Sequence, residues 1–199
     1  MGPTDGRRAA YAAPVITHAE ILAMPRAALM RLLRQGHPID PAGLDDTEYR
    51  GVSLGLPALV ERLTWKTFQK TFHRDPATGR LRGWNVRLEQ RGLDASSVPL
   101  RKGGEPVTFG HYRVVPLDPA RAPRGLGAGL LIDYGLGGNA RLDPVALMRD
   151  PLVAVHAGSV ELLLGWSWIE LGPLQLGTPS FFTLERERAL THRVSPPRG

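Results

Sequence analysis

The chain has no cysteine in its 199 residues. That excludes a disulfide framework, a thiol nucleophile and a cysteine-held zinc. It also suits a reducing compartment, so the expected location is the cytoplasm. Lysine is almost absent: Lys66, Lys70 and Lys102 stand among 25 basic residues, and the others are arginines. The net charge of +6 is spread out rather than gathered into a stripe, so no nucleic-acid face is expected. No apolar run approaches the ~18 residues of a membrane span, so no transmembrane segment is expected. The N-terminal stretch MGPTDGRRAAYAAPV lacks the apolar core of a signal peptide. The histidines (His18, His37, His73, His111, His156, His192) form no His-x-His or His-x-x-x-His pair, so no metal site is expected.

Glycine and proline, in contrast, are plentiful at 23 and 18, and apolar residues make up 42%. The composition is that of a globular chain rich in turns and short strands. Residues 1–15 and 191–199 read as flexible tails around a single domain over 16–190. Helices are expected over about 17–75 and strands over about 80–187. Thr17 caps a short turn in HAEILAM. Pro25 opens RAALMRLLRQG, with Leu29, Leu32 and Leu33 on one face and Gly36 as the stop. HPIDPAGLDD reads as a linker. Pro57 opens a further helix, where Leu59, Leu63, Phe68 and Phe72 recur at helical spacing up to the turn DPATG. From Arg80 onward the period becomes two. LRGWNVRLEQ, VTFGHYRVVPL, GAGLLIDYGLGG, PLVAVHAG, VELLLGWSWIEL, LQLGTP and SFFTLERE read as strands separated by turn residues, with a short helical turn at DPVALMRD. Without helices between them, a parallel sheet is excluded, and the pattern predicts an antiparallel sheet curled on itself.

Two motifs suggest chemistry. Gly51, Ser53 and Gly55 spell G-x-S-x-G, the string of a hydrolase nucleophile elbow. Such an elbow needs an apolar strand before the serine and an alternating α/β context after it. Asp45 to Arg50 and the β-rich remainder supply neither, so the glycines are read as easing passage from an extended segment into a helix. The run GLGAGLLIDYGLGGNA has neither G-x-G-x-x-G nor a Gly-Lys-Ser/Thr ending, so it is read as strand glycines, and no cofactor is expected.

The stretch Glu48-Tyr49-Arg50-Gly51-Val52-Ser53-Leu54 resembles the segment that names the bacterial GXWXG proteins, with Trp65, Lys66 and Phe68 matching the aromatic, Lys and Phe of the helix that follows. LLIDYGL and SFFTLER are similar to that family's C-terminal companion domain of unknown function. Tyr49 replaces the family Trp, Thr47 replaces its first Gly, and the spacing before the helix is shorter. The resemblance spans about residues 40–187 and implies a small lipocalin-like barrel with helices against it. It brings no catalytic residues to carry over.

The expected fold is therefore α+β: an antiparallel β-barrel, lipocalin- or calycin-like, with two or three N-terminal helices. A barrel of this size fills with side chains or holds one small ligand. Trp166 and Trp168 share a strand face, which makes them core packing or one wall of an apolar cavity. Trp84, Arg87, Tyr112, Asp133, Tyr134 and His156 complete the candidate ligand-binding set, with His111 as a further polar group. Alternation leaves open which face points inward, although His111 and Tyr112 must lie on opposite faces. The function expected is non-covalent binding of a small, mostly apolar ligand, such as a lipid, fatty acid, isoprenoid or aromatic metabolite. Two other readings stay open. One is an enzyme acting on such a ligand, an isomerase or hydrolase using Asp133 (with Glu161 as an acid/base partner), a histidine or Ser53. The other is a structural or protein-interaction module, a homodimer joined through its β edge.

Overall fold

The computed structural model of the chain describes residues 15–55, 66–127, 129–140 and 142–197. Two helices come first, α1 (His18–Leu22) and α2 (Arg26–Gln35). The strands are β1 (Thr47–Leu54), β2 (Thr67–Arg74), β3 (Leu81–Arg87), β4 (Arg101–Lys102), β5 (Glu105–Pro106), β6 (Thr108–Pro116), β7 (Leu130–Asp133), β8 (Met148–Ala154), β9 (Leu162–Leu171) and β10 (Leu174–Ala189). Eight of them close into a barrel in the order β1-β2-β3-β6-β7-β8-β9-β10, with β10 returning to β1 and every pair antiparallel. Each barrel strand pairs with its neighbours in sequence, and closure removes the edge strands that invite aggregation. β4 and β5 make a separate hairpin within the β3–β6 connection.

Local chemistry sets the helices. The Thr17 hydroxyl accepts the Glu20 N–H while the Glu20 carboxylate accepts the Thr17 N–H, a reciprocal capping box. Pro25 sits at the N-cap of α2 and Gly36 ends it. Leu29 and Leu33, one turn apart, are buried with Ile21 against the outer face of β8, β9 and β10. Neither helix is long and apolar enough to cross a membrane.

The helix expected from Pro57 to Phe72 needs correction. Residues 56–65 lie outside the described residues, but Thr67–Arg74 is strand β2. The spacing of four between Phe68 and Phe72 suits a helix turn and also two steps of a strand. The β-branched Thr67 and Thr71 favour the strand. Thr47–Leu54 is likewise strand, so the β region starts well before residue 80. HPIDPAGLDD is more than a linker: Pro41–Leu44 forms a 3-10 turn, and Ile39 and Leu44 are buried in the barrel core. LQLGTP and SFFTLERE join as one strand, β10, with an irregularity between Gly177 and Phe181. Thr191 and Val194 are each held by hydrogen bonds to the barrel. Thr191 donates its N–H and its hydroxyl to Glu48, and Arg82 donates to the Val194 carbonyl.

Aromatic rings occupy the barrel interior, and glycines on the neighbouring strands leave room for them. Gly51 pairs with Phe68, Gly165 with Phe182, and Gly83 with both Phe72 and Tyr112. A methyl group on Gly165 would lie 2.1 Å from the Phe182 ring, and one on Gly51 would lie 2.4 Å from the Phe68 ring. In a barrel of eight strands the bore is about wide enough for side chains alone, so each ring needs a neighbour without one.

Candidate functional site

One polar cluster sits among these rings. β2 turns Phe68, Lys70 and Phe72 inward, so Lys70 enters the bore between two phenylalanines. It is fully buried, with 2% of its side chain exposed, as is Asp150 of β8 at 4%. The Lys70 ammonium donates to Asn85 Oδ1 at 3.0 Å and to the Tyr134 hydroxyl at 2.5 Å, and it pairs with Asp150 Oδ2 at 3.5 Å. Its three protons are thus accounted for. Tyr134 donates in turn to Asp150 Oδ2 at 3.1 Å. Four rings surround the cation at 4.9 to 5.8 Å from their centroids: Phe68, Tyr112, Tyr134 and Phe182.

Burial works against both charges of the pair. Desolvation lowers the Lys70 pKa to about 8, and Asp150 pulls it back only in part. Desolvation raises Asp150, with Lys70, Ser167 and Tyr134 opposing. Tyr112 and Tyr134 are pushed far up, first by desolvation and then by Asp150, so both remain phenols. Asp150 Oδ1 is buried with no hydrogen-bond partner; the Ser167 hydroxyl stabilises the carboxylate without meeting hydrogen-bond geometry at that oxygen.

The two ends of the bore differ. Beyond Phe72, the core runs through Leu81, Leu130, Leu163 and Leu184 to Ile39 and Leu44, which plug that end. At the other end Phe68, Val145 and Met148 pack on the same core but stay partly exposed. Arg87 sits opposite Phe68 there, with its guanidinium over the Phe109 ring. The polar cluster therefore lies below an apolar mouth of partly buried residues.

The candidate set splits across this geometry. Tyr112 and Tyr134 face the bore with ring centroids 5.4 Å apart, and Arg87 is at the mouth. The remaining five lie on the outside of the barrel. Trp166 and Trp168 form one apolar layer with Ile21, Leu29 and Leu33, so a shared strand face puts them under the helices and not on a cavity wall. Trp84 stacks beneath the Arg82 guanidinium. Asp133 caps the turn Tyr134–Leu136 and pairs with Arg149. His156 Nε2 donates to the Ile16 carbonyl. Asp133 and Glu161 have separate arginine partners, Arg149 and Arg186.

Sequence reading missed Lys70, Asn85 and Asp150. Scarcity was the available signal: a lone lysine flanked at two-residue spacing by phenylalanines. Ser53 is an internal residue of antiparallel β1, opposite Phe182, and not the apex of a strand-to-helix turn. No group of three or more metal-ligating side chains is present among the described residues. No protein-family model, no curated protein and no solved structure matches the chain.

Proposed function

We propose that the protein binds a small, mostly apolar ligand non-covalently at the mouth of the barrel. The apolar body packs against Phe68, Val145, Met148 and Phe182, and a polar head reaches down to the Lys70–Asp150 cluster. The observation that carries this reading is Asp150 Oδ1, a buried oxygen below that mouth that meets no hydrogen-bond geometry, with the Ser167 hydroxyl as the protein donor nearest in effect to the carboxylate. Buried polar atoms in native proteins are nearly always satisfied, so an orphan beside an apolar opening calls for a donor from elsewhere. Because the Lys70 protons are already taken, the free lone pairs favour a ligand that donates. Within the expected ligand classes this selects a hydroxyl-bearing isoprenoid or aromatic over a fatty acid. The resemblance of β1 to the GXWXG segment and a cytoplasmic location belong to the same proposal.

The test is native mass spectrometry of protein purified from its own host, with solvent extraction of whatever is bound. Thermal shifts with farnesol, 1-naphthol and palmitate follow. The expected result is a stoichiometric apolar alcohol, or stabilisation by farnesol or 1-naphthol that Met148→Trp abolishes and Asp150→Asn weakens. An empty protein that none of the three probes stabilises would overturn the reading. Turnover of a bound alcohol that is lost in Asp150→Asn, with binding retained, would replace it with an enzymatic one.

A further inference from the structure

On the outside of the barrel, β3 and β6 carry a second pocket, of about 270 Å³, with no connection to the reading above. Its origin is a bulge. Gly83 pairs with Tyr112 but Asn85 pairs with Phe109, so Gly110 and His111 together face Trp84. Gly110 takes φ +53°, a conformation suited to glycine, and His111 turns outward. Asn139 secures the bulge: its Oδ1 accepts the His111 N–H, and its Nδ2 donates to the His111 carbonyl.

The resulting lining is strongly basic. Arg80, Arg82 and Arg113 border the pocket together with His111, whose pKa is lowered by burial and by Arg82, and Asp75 is the one carboxylate among its lining residues. That carboxylate already accepts the Ala77 N–H in its own turn. His111 is 9% exposed, and its Nδ1 is buried without a hydrogen-bond partner. The buried Nε of Arg82 has none either, although that guanidinium also stacks on Trp84 and donates to the Val194 carbonyl. Arg80 and Arg113 make no side-chain hydrogen bond or ion pair among the described residues, so the lining carries three arginines against the one carboxylate of Asp75. Leu136 and the prolines of the C-terminal segment, Pro196 and Pro197, supply apolar walls.

We propose that this pocket is a binding site for a small organic carboxylate. The carboxylate accepts from Arg82 Nε and from His111, Arg113 closes on it from the rim, and the apolar part lies between Leu136 and the two prolines. A planar carboxylate matches the fork of a guanidinium. Apolar walls favour an organic acid over a fully hydrated inorganic anion.

The experiment is an NMR titration of the full chain with benzoate, following the Arg side-chain Nε–H and His ring nitrogen signals, with phosphate in parallel. Saturable shifts at Arg82 and His111 are expected with benzoate, and much weaker ones with phosphate. Arg113→Gln removes a cation that holds no partner, so the fold is kept; it should weaken benzoate binding by about tenfold or more, as the loss of a charge-assisted hydrogen bond. Arg31→Gln, on the exposed side of α2, removes the same charge far away and should leave binding unchanged. The proposal is overturned if benzoate gives no saturable shift, if the two variants bind alike, or if phosphate binds as tightly as benzoate.

Discussion

Replacing Lys70 by Met keeps the length of the side chain and removes its charge, which makes the buried pair open to measurement. The Lys70 pKa falls from 10.5 to about 8 because its charged form is desolvated. Each unit corresponds to about 1.4 kcal/mol, so holding the charge inside costs about 3 kcal/mol. The sign follows from proton linkage. Below pH 8 the lysine is charged in both the folded and unfolded states, and the full cost is present. Above 10.5 it is neutral in both. Between these limits the unfolded chain holds a proton that the folded chain has lost, so stability rises with pH. Asp150 adds to the contrast. Its pKa is already raised by burial and loses the opposing cation in Lys70→Met, so the variant loses stability as pH rises and that carboxyl ionises. The buried tyrosines Tyr49, Tyr112 and Tyr134 have raised pKa values, which cost stability only above pH 10 and in both proteins alike. The assay is urea unfolding of wild type and Lys70→Met at intervals from pH 7 to 10.5. At pH 7 the variant is spared the cost of the buried ammonium but leaves Asp150 without its cation, so the two effects oppose and the change with pH, not the offset at pH 7, is what tests the reasoning. Across the series the wild type should gain about 3 kcal/mol relative to the variant. A difference that stays flat with pH would refute the reasoning, because it would mean that Lys70 titrates as a solvated lysine.

Two further substitutions test the packing around this cluster and the outer bulge. Gly165→Ala puts a methyl 2.1 Å from the Phe182 ring, so it should cost about 1–3 kcal/mol in urea unfolding, and Phe182→Leu in the same chain should recover part of it. A failure of the double variant to recover would mean that the glycine is kept for its backbone and not for the ring. Asn139→Ala removes donors to the His111 and Tyr134 carbonyls and the acceptor for the His111 N–H. It should destabilise the fold by about 1–3 kcal/mol and speed hydrogen exchange at the His111 amide above all other amides of β6. Unchanged exchange there would show that the bulge holds without it.

Much of the fold was legible because its signals are local. Thr17 with Glu20, Pro25 and Gly36 mark helix ends through hydrogen bonds that span at most a few residues. The alternation from Leu81 to Arg87 marks a strand, although its apolar side, Trp84 and Val86, lies outside the bore and the inward side carries Gly83 and Asn85. β2 was lost because Phe68 and Phe72 satisfy both periods, and the lysine midway between them lies on the solvent side of a helix but on the same face of a strand, which favoured the helix. Ile39 and Leu44 were lost for another reason. Their prolines and aspartates describe the backbone of a turn correctly, but whether that turn plugs a barrel depends on strands far along the chain.

The site was harder to read, because the direction of a strand face is a property of the closed barrel and not of the strand. Trp166 and Trp168 were correctly placed on one face, yet nothing in VELLLGWSWIEL says whether that face meets helices or the bore. The register does. Gly165 lies opposite Phe182 on the face that alternates with the two tryptophans, and Gly51 lies opposite Phe68 in the same way. A glycine within an apolar strand weakens it unless a neighbouring ring takes the space. Bulky residues on both the inner and outer faces of β9 would make the strand apolar throughout, and it is the glycine that shows which face is crowded. On that argument the inward face is the one carrying glycines, and the face with the indoles is the one with room for helices. Lys70 follows from the same logic. It shares a face with Phe68, whose partner is Gly51, so it points into the bore, and a charge there requires Asp150, Asn85 and Tyr134 around it.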